Sequence, residues 1–203
     1  MENRFDKLAK QWDSKPQRVE GAMKFVDYIK KNIDKDISRF DVLDYGSGSG
    51  LVSFGLANDV KSIIGLDYSL GMVERYNEKA NKLNYPNLVS KQHNIDEDSL
   101  SQNQFDLIVT NMTMHHIKDT TNFIKTLKNS LKKGGYLYIS DLVTEDGKFH
   151  SMGNDDVEHL GFDKDTLYKE FEKQGFKNIK FNILHTIKKD YGDYPVFVIS
   201  GNL

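Results

Sequence analysis

The sequence predicts an α/β fold built on a seven-stranded sheet, mostly parallel, with helices on both faces and a C-terminal antiparallel hairpin. Three observations predict it. From Asp41 onward, short apolar runs rich in Val, Ile, Leu and Tyr alternate with longer segments of helical period, the pattern of strands joined by crossover helices. The first run, Val42-Leu43-Asp44-Tyr45, leads straight into Gly46-Ser47-Gly48-Ser49-Gly50, a glycine-rich turn at the head of a helix. The last two runs are separated only by residues 188–194, too few for a crossover helix, so they pair as a hairpin.

Before the sheet, residues 3–12 and 17–33 read as two helices, with apolar stripes at Phe5, Leu8 and Trp12 and at Val19, Met23, Val26 and Ile29. Residues 1–38 are expected to form a helical lid, and residues 39–203 the core of a single domain. Strands are expected near 41–45, 62–66, 88–92, 105–110, 136–142, 178–186 and 195–201. Helices are expected near 49–58, 70–83, 119–132 and 164–174, with Ser69 and Asp163 as N-caps and Gly134-Gly135 as a stop. A chain of 203 residues, 38% of them hydrophobic, buries one sizeable core.

Composition narrows the function. Lys and Arg number 28 against 30 Asp and Glu, so no surplus of positive charge exists to grip a phosphate backbone, and nucleic acid is not an expected partner. The absence of cysteine excludes disulfides, thiolate nucleophiles and cysteine-ligated zinc, and is compatible with a reducing compartment. Residues 1–10 mix charged with apolar side chains and carry no signal-peptide core, and no long apolar run follows. A cytoplasmic protein, monomer or homodimer, without stable membrane insertion, is the expectation.

The glycine-rich turn is where a ligand can approach the backbone, because glycines accept positive φ and present no Cβ. The second strand ends in Asp67, whose carboxylate can accept both ribose hydroxyls of an adenosine. Asp44 lies two residues ahead of Gly46, where it would repel a pyrophosphate but suit the cationic end of a methionyl group. The third glycine of the dinucleotide spacing would fall on position 51, which is Leu51. Further polar sites follow the third strand at His93-Asn94-Ile95 and the fourth at Thr110-Asn111-Met112, all at carboxyl ends of adjacent strands.

These segments carry a resemblance. VLDYGSGSG, IIGLDYS, FDLIVTNMTMHHI and LKKGGYLYISDL resemble, in order, the motifs of the class I, Rossmann-like S-adenosylmethionine-dependent methyltransferases, and more narrowly the ubiquinone/menaquinone-methyltransferase-like group. The resemblance runs from Phe5 to Leu203, with FDKLAKQWD at the start and GFDKDTL and YPVFVIS near the end. It implies transfer of a methyl group from S-adenosylmethionine to a small-molecule acceptor, leaving S-adenosylhomocysteine. By the same resemblance, Gly46, Ser47 and Gly48 would wrap the methionyl part, Asp44 would orient its ammonium and Asp67 would hold the ribose. Asn94 and the Ile95 backbone would read the adenine edge, Met72 and Tyr68 would pack on the nucleoside, and Asn111 and Met112 would complete the cofactor site. Many family members carry Asp where Asn94 stands, which keeps an acceptor oxygen without the charge. Two rival readings are a catalytically silent donor-binding regulatory domain and an RNA or protein methyltransferase; Thr110-Asn111-Met112-Thr113 departs from the Asn-Pro-Pro-Tyr type of base N-methylation motif.

The acceptor side is expected at the ends of the fourth and fifth strands. His115, His116 and His150 are the candidate proton acceptors, with at most one of His115 and His116 facing the pocket because neighbouring side chains diverge. The segment 141–159 adds Asp141, Glu145, Asp146 and His159 as candidates for binding a metal or an amine, but without a fixed short spacing, so no metal site is expected.

Overall fold

The structure is a computed structural model that describes residues 3–150, 153 and 156–203. Residues 151, 152, 154 and 155 of the expected acceptor segment lie outside the described residues. One seven-stranded sheet has the order β3-β2-β1-β4-β5-β7-β6. Its strands are β1 Asp41–Tyr45, β2 Ser62–Asp67, β3 Leu88–Gln92, β4 Phe105–Asn111, β5 Leu131–Leu142, β6 Lys177–Lys189 and β7 Gly192–Asn202. The pairs among β1 to β5 are parallel, and β7 is antiparallel to both β5 and β6. The expected architecture is therefore present. Strand order reverses between β1 and β4, and such a switch point opens a crevice at the carboxyl ends of the strands.

Parity along each strand builds two cores. Val42, Ile63, Leu107, Val109 and Val198 face the helices α2 (Pro16–Asn32), α3 (Leu51–Leu56) and α4 (Leu70–Lys82). Leu43, Ile108, Leu137, Phe197 and Ile199 face α5 (Thr120–Ser130) and α6 (Lys164–Lys173) on the other side. The caps are as the sequence predicts: Ser69 accepts from the Met72 amide at 3.2 Å, and Asp163 from Thr166 at 2.9 Å.

Several boundaries differ for physical reasons. The α5 helix ends at Ser130, and Gly134-Gly135 lies inside β5, where Gly134 has φ +77° beside a register shift against β4. The hairpin is tighter than expected, with only two residues, Asp190 and Tyr191, between β6 and β7. The first helix breaks into α1 (Arg4–Leu8) and a 3-10 helix (Ala9–Ser14). The buried stripe of α2 is Ala22, Phe25, Val26 and Ile29 rather than one through Val19 and Met23. It packs so closely on α3 that a Cβ at Gly55 would lie 2.8 Å from Val26. The α2 helix thus belongs to the sheet's core, and only residues 4–14 remain as a strap over the strand ends. Among the described residues no helix is long and apolar enough to cross a membrane.

Phe197 is fully buried between α6 and the sheet, stacked on Phe181 at 5.0 Å between ring centroids. Phe197→Ala is expected to lower the unfolding free energy by about 3–5 kcal/mol. Ile183→Thr, at a side chain 54% exposed on β6, is expected to change it by less than about 0.5 kcal/mol. Denaturant titration of both variants checks the assignment of core and surface.

Candidate functional site

The glycine-rich turn is held by its own backbone. The amides of Gly46 and Ser47 both donate to the Leu66 carbonyl, at 2.7 and 3.0 Å, so the end of β1 is clamped to the end of β2. Gly46, Gly48 and Gly50 have φ of +69°, +53° and +89°, a region that penalises any Cβ. A Cβ on Gly46 would strike Thr113, and one on Gly50 would meet Phe54 and Tyr76, so these two glycines serve packing. Gly48 is different. A Cβ there would find only the Trp12 indole nitrogen at 3.8 Å, which leaves an open cradle between the turn and the strap.

Asp67 sits at the end of β2 and accepts from the amides of Gly48 at 2.7 Å and Ser69 at 2.9 Å. Burial nevertheless raises its pKa above the usual carboxylate value. Asp44 points to the α3 side, wholly buried, and accepts from the Ser53 hydroxyl at 2.6 Å. Burial pushes its carboxyl up to about 7, with the Ser53 hydrogen bond opposing and the Asp67 charge adding to the rise. Among the described residues no cation pairs with this acid, so its burial is offset only by the Ser53 hydrogen bonds. Ser47, also buried, keeps a hydroxyl without a hydrogen-bond partner.

The other cofactor-side residues spread along the rim. Tyr68 is 60% exposed beside Asp67, whereas Met72 is buried. The Asn94 side-chain oxygen accepts from the Asp96 amide at 3.1 Å, so the atom expected to read adenine also shapes its own turn. Ile95 packs against the α5-side core. Asn111 ends β4, and Met112, at φ +56°, packs with Leu142, Tyr194 and Val196 on the side away from Asn94. His93, part of the polar site expected after the third strand, has a buried partner that was not singled out from the sequence: the Tyr45 hydroxyl lies 3.2 Å from its Nδ1, directly after β3. The signal of Tyr45, an aromatic at a strand end, was present but not distinctive.

The strap carries two acids whose roles no spacing revealed. Asp6 accepts from the Ser69 hydroxyl at 2.5 Å and the Gly71 amide at 3.0 Å, at the N-terminus of α4. Asp13 pairs with Lys79 at 2.6 Å and accepts from the Ser49 hydroxyl. Between them, Phe5 packs edge-on against Trp12 at 5.8 Å and against His116 at 5.3 Å, and Arg18 stacks over Trp12 at 3.5 Å.

The acceptor side forms around a 3-10 helix, Met114–His116, after β4. Contrary to the divergence expected of adjacent side chains, the His115 and His116 rings lie 4.0 Å apart, and His150 joins them at 5.1 and 5.9 Å. Asp141 at the end of β5 fixes His115 by accepting from its ring Nδ1 at 2.7 Å and its amide at 3.1 Å. His116 Nδ1 donates to the Asp156 carbonyl. Burial and the adjacent histidines depress the pKa of His116, and that of His150 to about 4, which favours the neutral form of each ring. The remaining candidates do other work. Glu145 gathers the amides of Gly147, Lys148 and Phe149, Asp146 pairs with Lys148, and His159 donates to the Ile117 carbonyl at 3.0 Å.

A mostly parallel sheet whose switch point carries a glycine-rich turn, with the part-buried Asp67 on its amide and the buried Asp44 two residues before it, has the layout of a nucleoside-cofactor α/β protein. Residues 14–180 match the profile of a methyltransferase domain family, and the chain belongs to that family. An uncharacterized methyltransferase of Schizosaccharomyces pombe is 35% identical over 132 residues, covering 61% of this chain and 46% of that protein. The ubiquinone biosynthesis O-methyltransferase of Pelagibacter ubique is 28% identical over 154 residues, covering 68% and 62%. The chain thus spans about half to three-fifths of the length of these curated relatives. The fold is that of a SAM dependent methyltransferase from Aquifex aeolicus, with TM-score 0.71, 21% identity and 97% of each chain covered. It also matches a Haemonchus contortus phosphoethanolamine N-methyltransferase in complex with S-adenosyl-L-methionine, with TM-score 0.73, 14% identity, and 98% of this chain and 60% of that one covered.

The raised pKa of Asp44 gives a pH dependence of defined sign. Between its ordinary value of 3.8 and about 7, the folded protein holds a proton that the unfolded chain has lost. Its contribution to stability is thus complete below that window and falls as pH rises through it. Asp44→Asn is expected to flatten the loss of stability across this range in the ligand-free protein. Denaturation midpoints at the two ends of the window test it; an unchanged slope would remove Asp44 as the titrating group.

Proposed function

We propose that this chain transfers a methyl group from S-adenosylmethionine to a hydroxyl-bearing small molecule, releasing S-adenosylhomocysteine. The observation that carries the reading is the open cradle at Gly48, whose amide is held by Asp67, on a turn that follows directly from the buried Asp44 at the end of β1. When bound, the donor supplies an electrophilic methyl on a sulfonium; the chain's own residues bind, orient and exclude water. Asp44 would ionise against the methionyl ammonium, Asp67 would accept from the ribose, and the turn after β3 at Asn94 and Ile95 would take the adenine. The strap from Arg4 to Ser14 would close over the donor, its acids holding it to α4 and its Phe5 and Trp12 shielding the reacting atoms from water.

The histidine wall would receive the acceptor. As the methyl reaches the acceptor oxygen, that oxygen must lose its proton, and a neutral imidazole at His116 is a suitable base. The class of acceptor follows the name of the Pelagibacter relative, an O-methyltransferase, and the absence of surplus positive charge on this chain.

Calorimetry is expected to show binding of S-adenosylmethionine and S-adenosylhomocysteine and none of NAD; tight NAD binding without heat from either sulfur nucleoside would sink the reading. Because Asp44 must give up its proton to meet a cation, donor affinity is expected to fall about tenfold per pH unit below about pH 7. Asp67→Ala is expected to weaken donor binding by about 1.5–3 kcal/mol. Since Asp67 also anchors the Gly48 and Ser69 amides, this variant should melt somewhat lower as well. His116→Ala is expected to cut turnover by about 10²–10⁴-fold while leaving donor affinity nearly unchanged.

A further inference from the structure

We infer that His115, His116 and His150 form a binding site for one divalent transition-metal ion of the Zn²⁺ class. One nitrogen from each of the three rings lies within 4.8 Å of the other two. With metal–nitrogen bonds of about 2.0–2.1 Å, a tetrahedral set of imidazoles places ring centroids about 5 Å apart. The observed separations of 4.0, 5.1 and 5.9 Å bracket that value, so small ring shifts complete the geometry.

The surroundings match a metal centre more closely than a chance meeting of rings. His115 gives its Nδ1 proton to the Asp141 carboxylate, and His116 gives its own to the Asp156 carbonyl. Each ring is thereby fixed in the tautomer that leaves Nε2 with a free lone pair, the arrangement in which carboxylates and carbonyls orient metal-bound histidines. Among the described residues, the buried His150 Nδ1 has no hydrogen-bond partner, nor does Asp156 Oδ2, which lies 3.9 Å from His116 Nδ1. Asp141 and Asp156 lie against the cluster, and the nearby Arg4 is already paired with Asp156 at 2.8 Å. An all-nitrogen set favours Zn²⁺, Co²⁺ or Fe²⁺ over Mg²⁺ or Ca²⁺, which require oxygen ligands. Three protein ligands would leave a further coordination position open, and Phe5 of the strap packs edge-on against the His116 ring at 5.3 Å.

The site stands on the histidines alone and does not depend on the methyl-transfer reading; with the metal bound, the His116 lone pair is taken, and an acceptor proton would pass instead to a metal-bound hydroxide, leaving water. The test is titration calorimetry of the tag-free full chain, stripped with chelator, using Zn²⁺, Co²⁺ and Mg²⁺ as separate probes. One Zn²⁺ per chain with submicromolar affinity is expected, with Co²⁺ binding giving visible absorption of a four- or five-coordinate ion and Mg²⁺ giving no heat. His150→Ala and His116→Gln should each weaken Zn²⁺ at least a hundredfold, and Asp141→Asn by about 10–100-fold. His185→Ala, at a histidine on β6 outside the cluster, should leave Zn²⁺ affinity unchanged. Circular dichroism and S-adenosylhomocysteine binding of the same variants separate loss of the metal from loss of the fold or of the donor site. Wild-type protein that is folded yet shows no Zn²⁺ affinity better than about 100 μM would overturn the inference. So would stoichiometric binding that persists without both His116 and His150.

Discussion

A hydrogen bond of 2.7 Å from the Gly48 amide to the Asp67 carboxylate joins the ends of β1 and β2, and the cofactor side is organised around it. It needs positive φ at Gly46 and Gly48 to turn the amide toward β2, and it needs an acid at the last residue of that strand. The Leu66 carbonyl, accepting from Gly46 and Ser47, locks the same corner from the backbone side. The result is a rigid cradle whose rim is polar and whose floor is the sheet. Rigidity here matters chemically, because in-line group transfer is won by positioning rather than by many reactive side chains.

Charge is distributed around that corner in an asymmetric way. Asp44 is buried and Asp67 part-buried, both are held by neutral donors, and desolvation raises the pKa of both. Asp6 and Asp13, at the edge, are spent on a helix N-terminus and on Lys79. The inner pair thus carries a desolvation cost, while the outer pair fastens the strap. Binding at the inner acids and closure of the strap share Ser69, since it donates its amide to Asp67 and its hydroxyl to Asp6. A single residue therefore links ligand site and cover.

The opposite wall is built from more distant pieces of chain. Asp141 closes β5, His115 and His116 follow β4, and His150 and Asp156 arrive on the loop after β5. The amides of Glu158 and His159 donate to the His115 carbonyl at 2.9 and 3.1 Å, which pulls that loop back against the 3-10 helix. Gly161, at φ +78° and with no room for a Cβ beside the Val143 carbonyl, makes the return possible.

The sequence determined by itself what depends on local pattern. Alternating apolar runs gave the strands to within a few residues, Ser69 and Asp163 marked their helix starts, and the Gly46-Ser47-Gly48 turn with Asp67 fell at the adjoining ends of β1 and β2, because these signals lie within short windows. It misplaced the end of α5, since Gly134 reads locally as a helix stop but serves a strand irregularity whose cause is the pairing with β4. It also gave the whole N-terminal segment to a lid, although burial of Phe25 and Ile29 against the sheet decides that α2 is core. Tertiary structure alone decided the strand order, the direction of the His115 and His116 rings, and the meeting of those rings with His150, 34 positions along the chain from His116. Side-chain chemistry at a site assembled from separate strand ends has no short period or fixed spacing. Only the packing of the sheet, which brings the ends of β4 and β5 side by side, puts those residues within bonding reach.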